Sequence, residues 1–117
     1  MTLKEIAEIL EGEILCTGDN EDLEITSACG SDLMSDVMAF VKNSAMLLTG
    51  LLNMQVIRTA EMMDMRLIVF VRGKKPDPCV VEMAKQKGIA LVCTKHSMFV
   101  ACGLLYSHGL TEGGNHP

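Results

Sequence analysis

Residues 67–96 read LIVFVRGKKPDPCVVEMAKQKGIALVCTKH. Two apolar runs, 67–71 and 89–93, bracket a stretch, 78–87, whose apolar residues recur at helical spacing. Asp77 stands where a helix N-cap belongs. Pro78 suits the first helical position, where an N–H would have no partner, and Gly88 suits the positive φ that ends a helix. Strands that are apolar throughout, and not in alternation, are strands covered on both faces. Two of them joined through a helix run parallel with a right-handed crossover. The unit repeats upstream, where the apolar run 45–48 leads through a helix-like stretch, 54–64, into 67–71. Strand, helix, strand, helix, strand predicts a mainly parallel sheet between layers of helices, an α/β three-layer sandwich.

Toward the N-terminus the pattern is less regular. Thr2-Leu3-Lys4-Glu5 has the form of a capping box, and Leu3, Ile6, Ala7 and Leu10 recur at helical spacing, which predicts a helix over 3–10 stopped by Gly12. A short strand is expected at 13–16, a turn at Gly18-Asp19-Asn20 and a second strand at 23–28. Leu33, Val37, Phe40 and Val41 predict a helix over 32–42, with Met34 and Met38 widening its apolar stripe. A last helix is expected over 97–107, burying Met98, Cys102 and Leu105. Without repeat, low-complexity segment or linker, the chain reads as one domain, 1–110, followed by a polar, glycine-containing flexible tail, 111–117.

Composition narrows the function. At 117 residues with 49% hydrophobic side chains, the chain can bury a real core, yet it has three Phe, one Tyr and no Trp, so aliphatic residues and ten Met must fill it. No apolar run is long enough to span a membrane and no signal-peptide pattern opens the chain, so a cytoplasmic protein is expected. Five Cys without a CxxC pair fit reduced thiols better than a disulfide framework. Residues 1–43 carry ten acids against two bases and residues 44–117 five acids against eight bases. That asymmetry suits either a partner or a solvated acidic face. Few bases, few aromatics and a pI of about 5.1 argue against nucleic acid.

Ligands of open parallel sheets meet the loops at the carboxyl ends of the strands. Those loops hold Thr49-Gly50-Leu51, Arg72-Gly73-Lys74-Lys75 and Thr94-Lys95-His96, with Cys29-Gly30-Ser31-Asp32 nearby. The rim is polar and basic, and Arg72, Lys74, Lys75 and Lys95 could hold a phosphate or carboxylate; a solvated turn is the plainer alternative. The candidate ligand-binding residues are Ser31, Asp32, Thr49, Gly50, Arg72, Gly73, Lys74, Thr94 and Lys95. No GxxxxGK[ST] or GxGxxG fingerprint is present, and the three His lack the spacing of a metal site. A Cys29, Cys93 and His96 constellation for thiol or metal chemistry, and an Asp32–Asp36 pair for acid–base work, can be drawn. Buried thiols and helix-start acids account for both. No catalytic residue, metal or cofactor is expected.

Leu47-Leu48-Thr49-Gly50, then Gln55-Val56-Ile57-Arg58-Thr59-Ala60, then Leu67-Ile68-Val69-Phe70-Val71-Arg72-Gly73-Lys74 resemble the DRTGG domain. Ile89-Ala90-Leu91-Val92-Cys93-Thr94 and Phe99 extend the likeness to the related N-terminal domain of HPr kinase. The opening, Ile6-Ala7-Glu8-Ile9-Leu10-Glu11-Gly12-Glu13, is similar to the N-terminal domains of Mur ligases. The eponymous Asp-Arg-Thr-Gly-Gly string is replaced, since after Leu48 the chain reads Thr-Gly-Leu-Leu-Asn. Residues 30–36 and 102–106 resemble a stand-alone subgroup found beside iron-only hydrogenase subunits. The resemblance implies a non-catalytic regulatory or sensory module, often dimeric, that accompanies catalytic domains, and a small anionic metabolite is the ligand expected. An assembly partner of a redox enzyme, using Met54, Met62, Met63 and Met65 as an adaptable surface, is the alternative.

Overall fold

The computed structural model of the chain describes residues 1–19, 23–40 and 45–113. Elements follow in the order α1 (Leu3–Ile9), β1 (Glu13–Cys16), β2 (Ala28–Gly30), α2 (Met34–Phe40), β3 (Met46–Thr49), α3 (Met54–Met62), β4 (Leu67–Phe70), α4 (Pro78–Gln86), β5 (Ala90–Cys93) and α5 (Met98–Ser107). One five-stranded sheet runs β1-β5-β4-β3-β2. Strands β2 to β5 are parallel, and β1 joins the edge antiparallel to β5 with an irregularity between Ile14 and Cys16. This is the expected α/β sandwich.

All four residues of β3, β4 and β5 are buried, and their alternation feeds two cores. Leu47, Ile68, Phe70, Leu91 and Cys93 pack against Val37, Val56, Ile57, Val80 and Ala84 of α2, α3 and α4. Met46, Leu48, Leu67, Val69, Ala90 and Val92 pack against Leu3, Ile6, Ala101 and Leu105 of α1 and α5. Each fully buried aliphatic or aromatic side chain contributes roughly 1.5–3 kcal/mol. Double coverage therefore makes the three central strands the firmest part of the molecule, and it presents their carboxyl ends as a fixed rim.

Local signals act as expected at several ends. Thr2 and Glu5 form both bonds of the capping box, Asn53 and Ser97 cap α3 and α5, and Gly88 closes α4 at φ +71°. Asp77 occupies the N-cap position of α4 without a side-chain bond, so Pro78 does the starting.

Other expectations are corrected. Residues 23–27 stay outside the sheet: Ile25 exchanges hydrogen bonds with Met1, Thr2 bridges Glu24, and the sheet takes up the chain only at Ala28. The pull of the N-terminal residues outweighs the β pattern there. Helix α2 begins at Met34, so Leu33 is left exposed while Met34 and Val37 are buried. The last residues of that expected helix, 41 and 42, lie outside the described residues. Within α5, Leu105 and Ala101 are buried, while Met98 and Cys102 are partly buried against the core. Of the tail, Glu112 accepts a hydrogen bond from the Ala28 amide at 3.0 Å, and residues 114–117 lie outside the description.

The proposed methionine surface is also corrected. Met65 is buried, Met54 and Met63 pack against the core, and of the four only Met62 stands exposed. Helix α3 turns its 3.6-residue stripe inward, and all of these methionines but Met62 serve as core filler.

Candidate functional site

At the carboxyl ends of β2, β3 and β4 four residues meet. Asp32 lies just beyond β2, and its Oδ1 accepts from the Gly50 amide at 2.7 Å and from Thr49 Oγ1 at 3.1 Å. Its Oδ2 accepts from Arg72 Nη2 at 2.7 Å. Thr49 is fully buried at the end of β3 and its oxygen also accepts from the Leu51 amide. A hydroxyl has one proton, so that of Thr49 points at Asp32. The Arg72 guanidinium lies directly over Gly50, so a Cβ there would push that side chain aside.

Arg72 reaches this point from an unusual backbone. It has φ +69°, a left-handed conformation that a side chain with a Cβ adopts at a cost, and Gly73 follows at φ +74°. Two bonds from the loop after β5 hold the turn: the Arg72 amide donates to the His96 carbonyl at 2.8 Å and the Gly73 amide to the Thr94 carbonyl at 2.9 Å. A strained, bonded turn thus throws the guanidinium across the end of β3. The Gly50 amide, and after it Arg72 and Thr49, hold the Asp32 carboxyl below its ordinary value against the opposing effect of partial burial.

The remaining predicted residues spread around this centre. Ser31 turns to its own neighbourhood, accepting from the Leu33 amide at 3.1 Å. Thr94 is buried and donates to the Leu10 carbonyl at 2.7 Å, which ties the end of α1 to β5. Lys74 and Lys95 are exposed and have no ion-pair partner among the described residues. Lys95 runs beside Gly73. Two bases of the expected rim are already paired, Arg72 with Asp32 and Lys75 with Glu13 at 2.8 Å. Sequence reasoning missed both pairings, because partners 40 and 62 positions apart leave no local signal.

The alternatives fare differently. Cys93 packs into the core beneath α2 to α4, where burial pushes its thiol up, while His96 faces Glu11 at 3.4 Å. Cys16 and Cys102 are likewise raised by burial. Such thiols are poor nucleophiles. Asp32 precedes α2 and Asp36 lies within it, so the two carboxylates do not share a helix face. A cavity of about 190 Å³, bounded in part by Leu3, Asp19, Arg66 and Gly88, opens at the opposite end of the strands, where no motif announced it. It is smaller than the roughly 300–1,000 Å³ usual for small-molecule pockets.

The chain has known relatives in fold. It is similar to the CBS and DRTGG domains of the regulatory region of Clostridium perfringens pyrophosphatase, solved with the activator diadenosine tetraphosphate, at a TM-score of 0.74 and 19% identity. That match covers 89% of this chain and 45% of the other, so the chain spans less than half of the structure it resembles. No curated protein matches the sequence. A family model described as the DRTGG domain matches residues 5–107. That range runs from within α1 to the end of α5 and takes in Asp32, Thr49, Gly50 and Arg72; the chain belongs to the DRTGG domain family.

Proposed function

We propose that the chain is a non-catalytic regulatory module that binds a small anionic metabolite at the carboxyl ends of its strands and works in the cytoplasm as a homodimer. One observation carries the ligand half: a buried hydroxyl, a backbone amide and a guanidinium converge on the two oxygens of one carboxylate. Lys74 and Lys95, exposed and without an ion-pair partner among the described residues, add positive charge to the same strand-end loops, which draws in anions. The likeness to a pyrophosphatase regulatory region complexed with a nucleotide activator supports the same direction. Titration calorimetry against small anionic metabolites, adenine nucleotides and diadenosine tetraphosphate included, tests it. Binding that is lost in Arg72→Ala and weakened in Lys74→Ala and Lys95→Ala is expected. No heat with any ligand, while those variants keep full cellular function, overturns it.

Helix α5 supports the dimer half. From Met98 to Ser107 it contains no charged residue, and it leaves Phe99 86% and Tyr106 64% exposed with Val100 beside them. Apolar surface grouped in this way marks an interaction face. Native mass spectrometry is expected to give a dimer, and Phe99→Asp a monomer of unchanged fold; a monomer from the unsubstituted chain refutes the homodimer. The other reading, an assembly partner of a redox enzyme such as an iron-only hydrogenase, rests on this same helix now that the methionines are accounted for. Hydrogen exchange in α5 that slows on adding such a partner, and not on concentrating the protein alone, favours it.

A further inference from the structure

We propose that the point where Thr49, Gly50 and Arg72 converge is an oxyanion seat, and that Asp32 is its built-in competitor. The protein's own carboxylate holds the place of a ligand phosphate or carboxylate until that ligand displaces it. The proposal rests on the regulatory reading above and states what the ligand must carry.

Three groups face the seat and all three are donors. The Thr49 proton is directed there because the carboxylate it faces can only accept, while its oxygen also serves the Leu51 amide. The Gly50 amide and Arg72 Nη2 each sit 2.7 Å from an Asp32 oxygen. Donors without an acceptor among them bind anions, and a carboxylate from residue 32 is the anion the chain itself supplies.

The backbone that carries the donors does not depend on Asp32 for its position, whereas the Arg72 guanidinium is itself paired to Asp32. Thr49 ends a strand paired to β4 with Gly50 directly after it, and the backbone of the Arg72 turn is held by the carbonyls of Thr94 and His96. Asp32, by contrast, sits on an exposed segment between β2 and α2, and its side chain is 41% exposed. Arg72 is 47% exposed. An ion pair this open to water is weakly held. A phosphate group brings more acceptor oxygens and more charge than one carboxylate, so it can take the three donors in its stead. Asp32 would then be freed, together with a segment that leads directly into α2.

The test is an amide NMR titration of the full chain with inorganic phosphate, and in parallel with acetate, at an ionic strength held constant with chloride. The Gly50 amide signal is expected to move with phosphate. Asp32→Ala is expected to bind phosphate a few-fold more tightly, up to about fivefold, because the bonds to Asp32 do not have to be broken first. Asp32→Asn, which keeps the size of the side chain and an acceptor for Gly50, should change in the same direction and guards against loss of folding in the Ala variant. Arg72→Ala should leave Gly50 unresponsive.

Equal phosphate affinity in Asp32→Ala, Asp32→Asn and the unsubstituted chain overturns the competitor and leaves the regulatory reading standing. Shifts confined to the Lys74 and Lys95 amides place the anion on the outer rim and overturn the seat. No response in any variant also overturns the seat, and the metabolite titrations then decide the broader reading separately. Response to phosphate and not to acetate assigns the seat to phosphate groups, and the reverse assigns it to carboxylates.

Discussion

Phe70 and Arg72 stand two positions apart at the end of one strand, and opposite forces place them. Phe70 is fully buried among α2, α3 and α4. Arg72 emerges with a left-handed backbone and a half-exposed side chain paired to Asp32. The strand interior is determined by packing, where any apolar residue of the right volume serves. The strand end is determined by a few directed bonds, and it accepts a strained residue to make them.

The comparison makes unequal demands on stability. Phe70→Ala should be the most damaging single change, destabilising by about 3–5 kcal/mol through lost burial and the cavity left behind. Urea unfolding followed by circular dichroism measures it, and a loss below about 1 kcal/mol would mean that the interior is not packed as described. Thr94→Val should fall between interior and rim. Its hydroxyl is the donor to the buried Leu10 carbonyl, so the substitution strands an acceptor and should cost about 1–3 kcal/mol. If Thr94→Val proves neutral, the end of α1 is anchored by packing alone and Thr94 belongs with the rim residues.

The same division explains what could be read from the sequence. Runs 45–48, 67–71 and 89–93, together with Pro78 and Gly88, announce the parallel sheet because burial on both faces and helix ends write themselves into neighbouring residues. The strand-end loops were legible as a place, from the general position of ligands in such sheets. Their wiring was not. Nothing local couples Asp32 to Arg72, and nothing in Val71-Arg72-Gly73 reveals that the arginine takes a positive φ. The β pattern at 23–28 misled for a related reason, since its partner is the N-terminal residue and not the sheet. The methionines were legible as core filler, but which of them stay exposed was not, because composition cannot say which way a helix faces.

Acid offers the finest test of the contrast, because the interior near Phe70 has no charge to titrate whereas the rim does. Asp32 has its folded carboxyl held below the ordinary value of 3.8. A group depressed on folding contributes stability that is fully present above its unfolded value and is lost as pH falls through the folded one. The difference in stability between the unsubstituted chain and Asp32→Asn should therefore be flat from neutral pH down to about pH 5 and vanish well below pH 4. Its size should stay within about 1 kcal/mol, because the pair is open to water. Urea midpoints for both proteins across that range supply the measurement. A difference that persists unchanged at pH 2 would assign the role of Asp32 to its shape and not its charge. A difference already gone above pH 4 would mean that Gly50, Thr49 and Arg72 do not hold the ionised form in solution, and the rim would then be no more specialised than an ordinary polar loop.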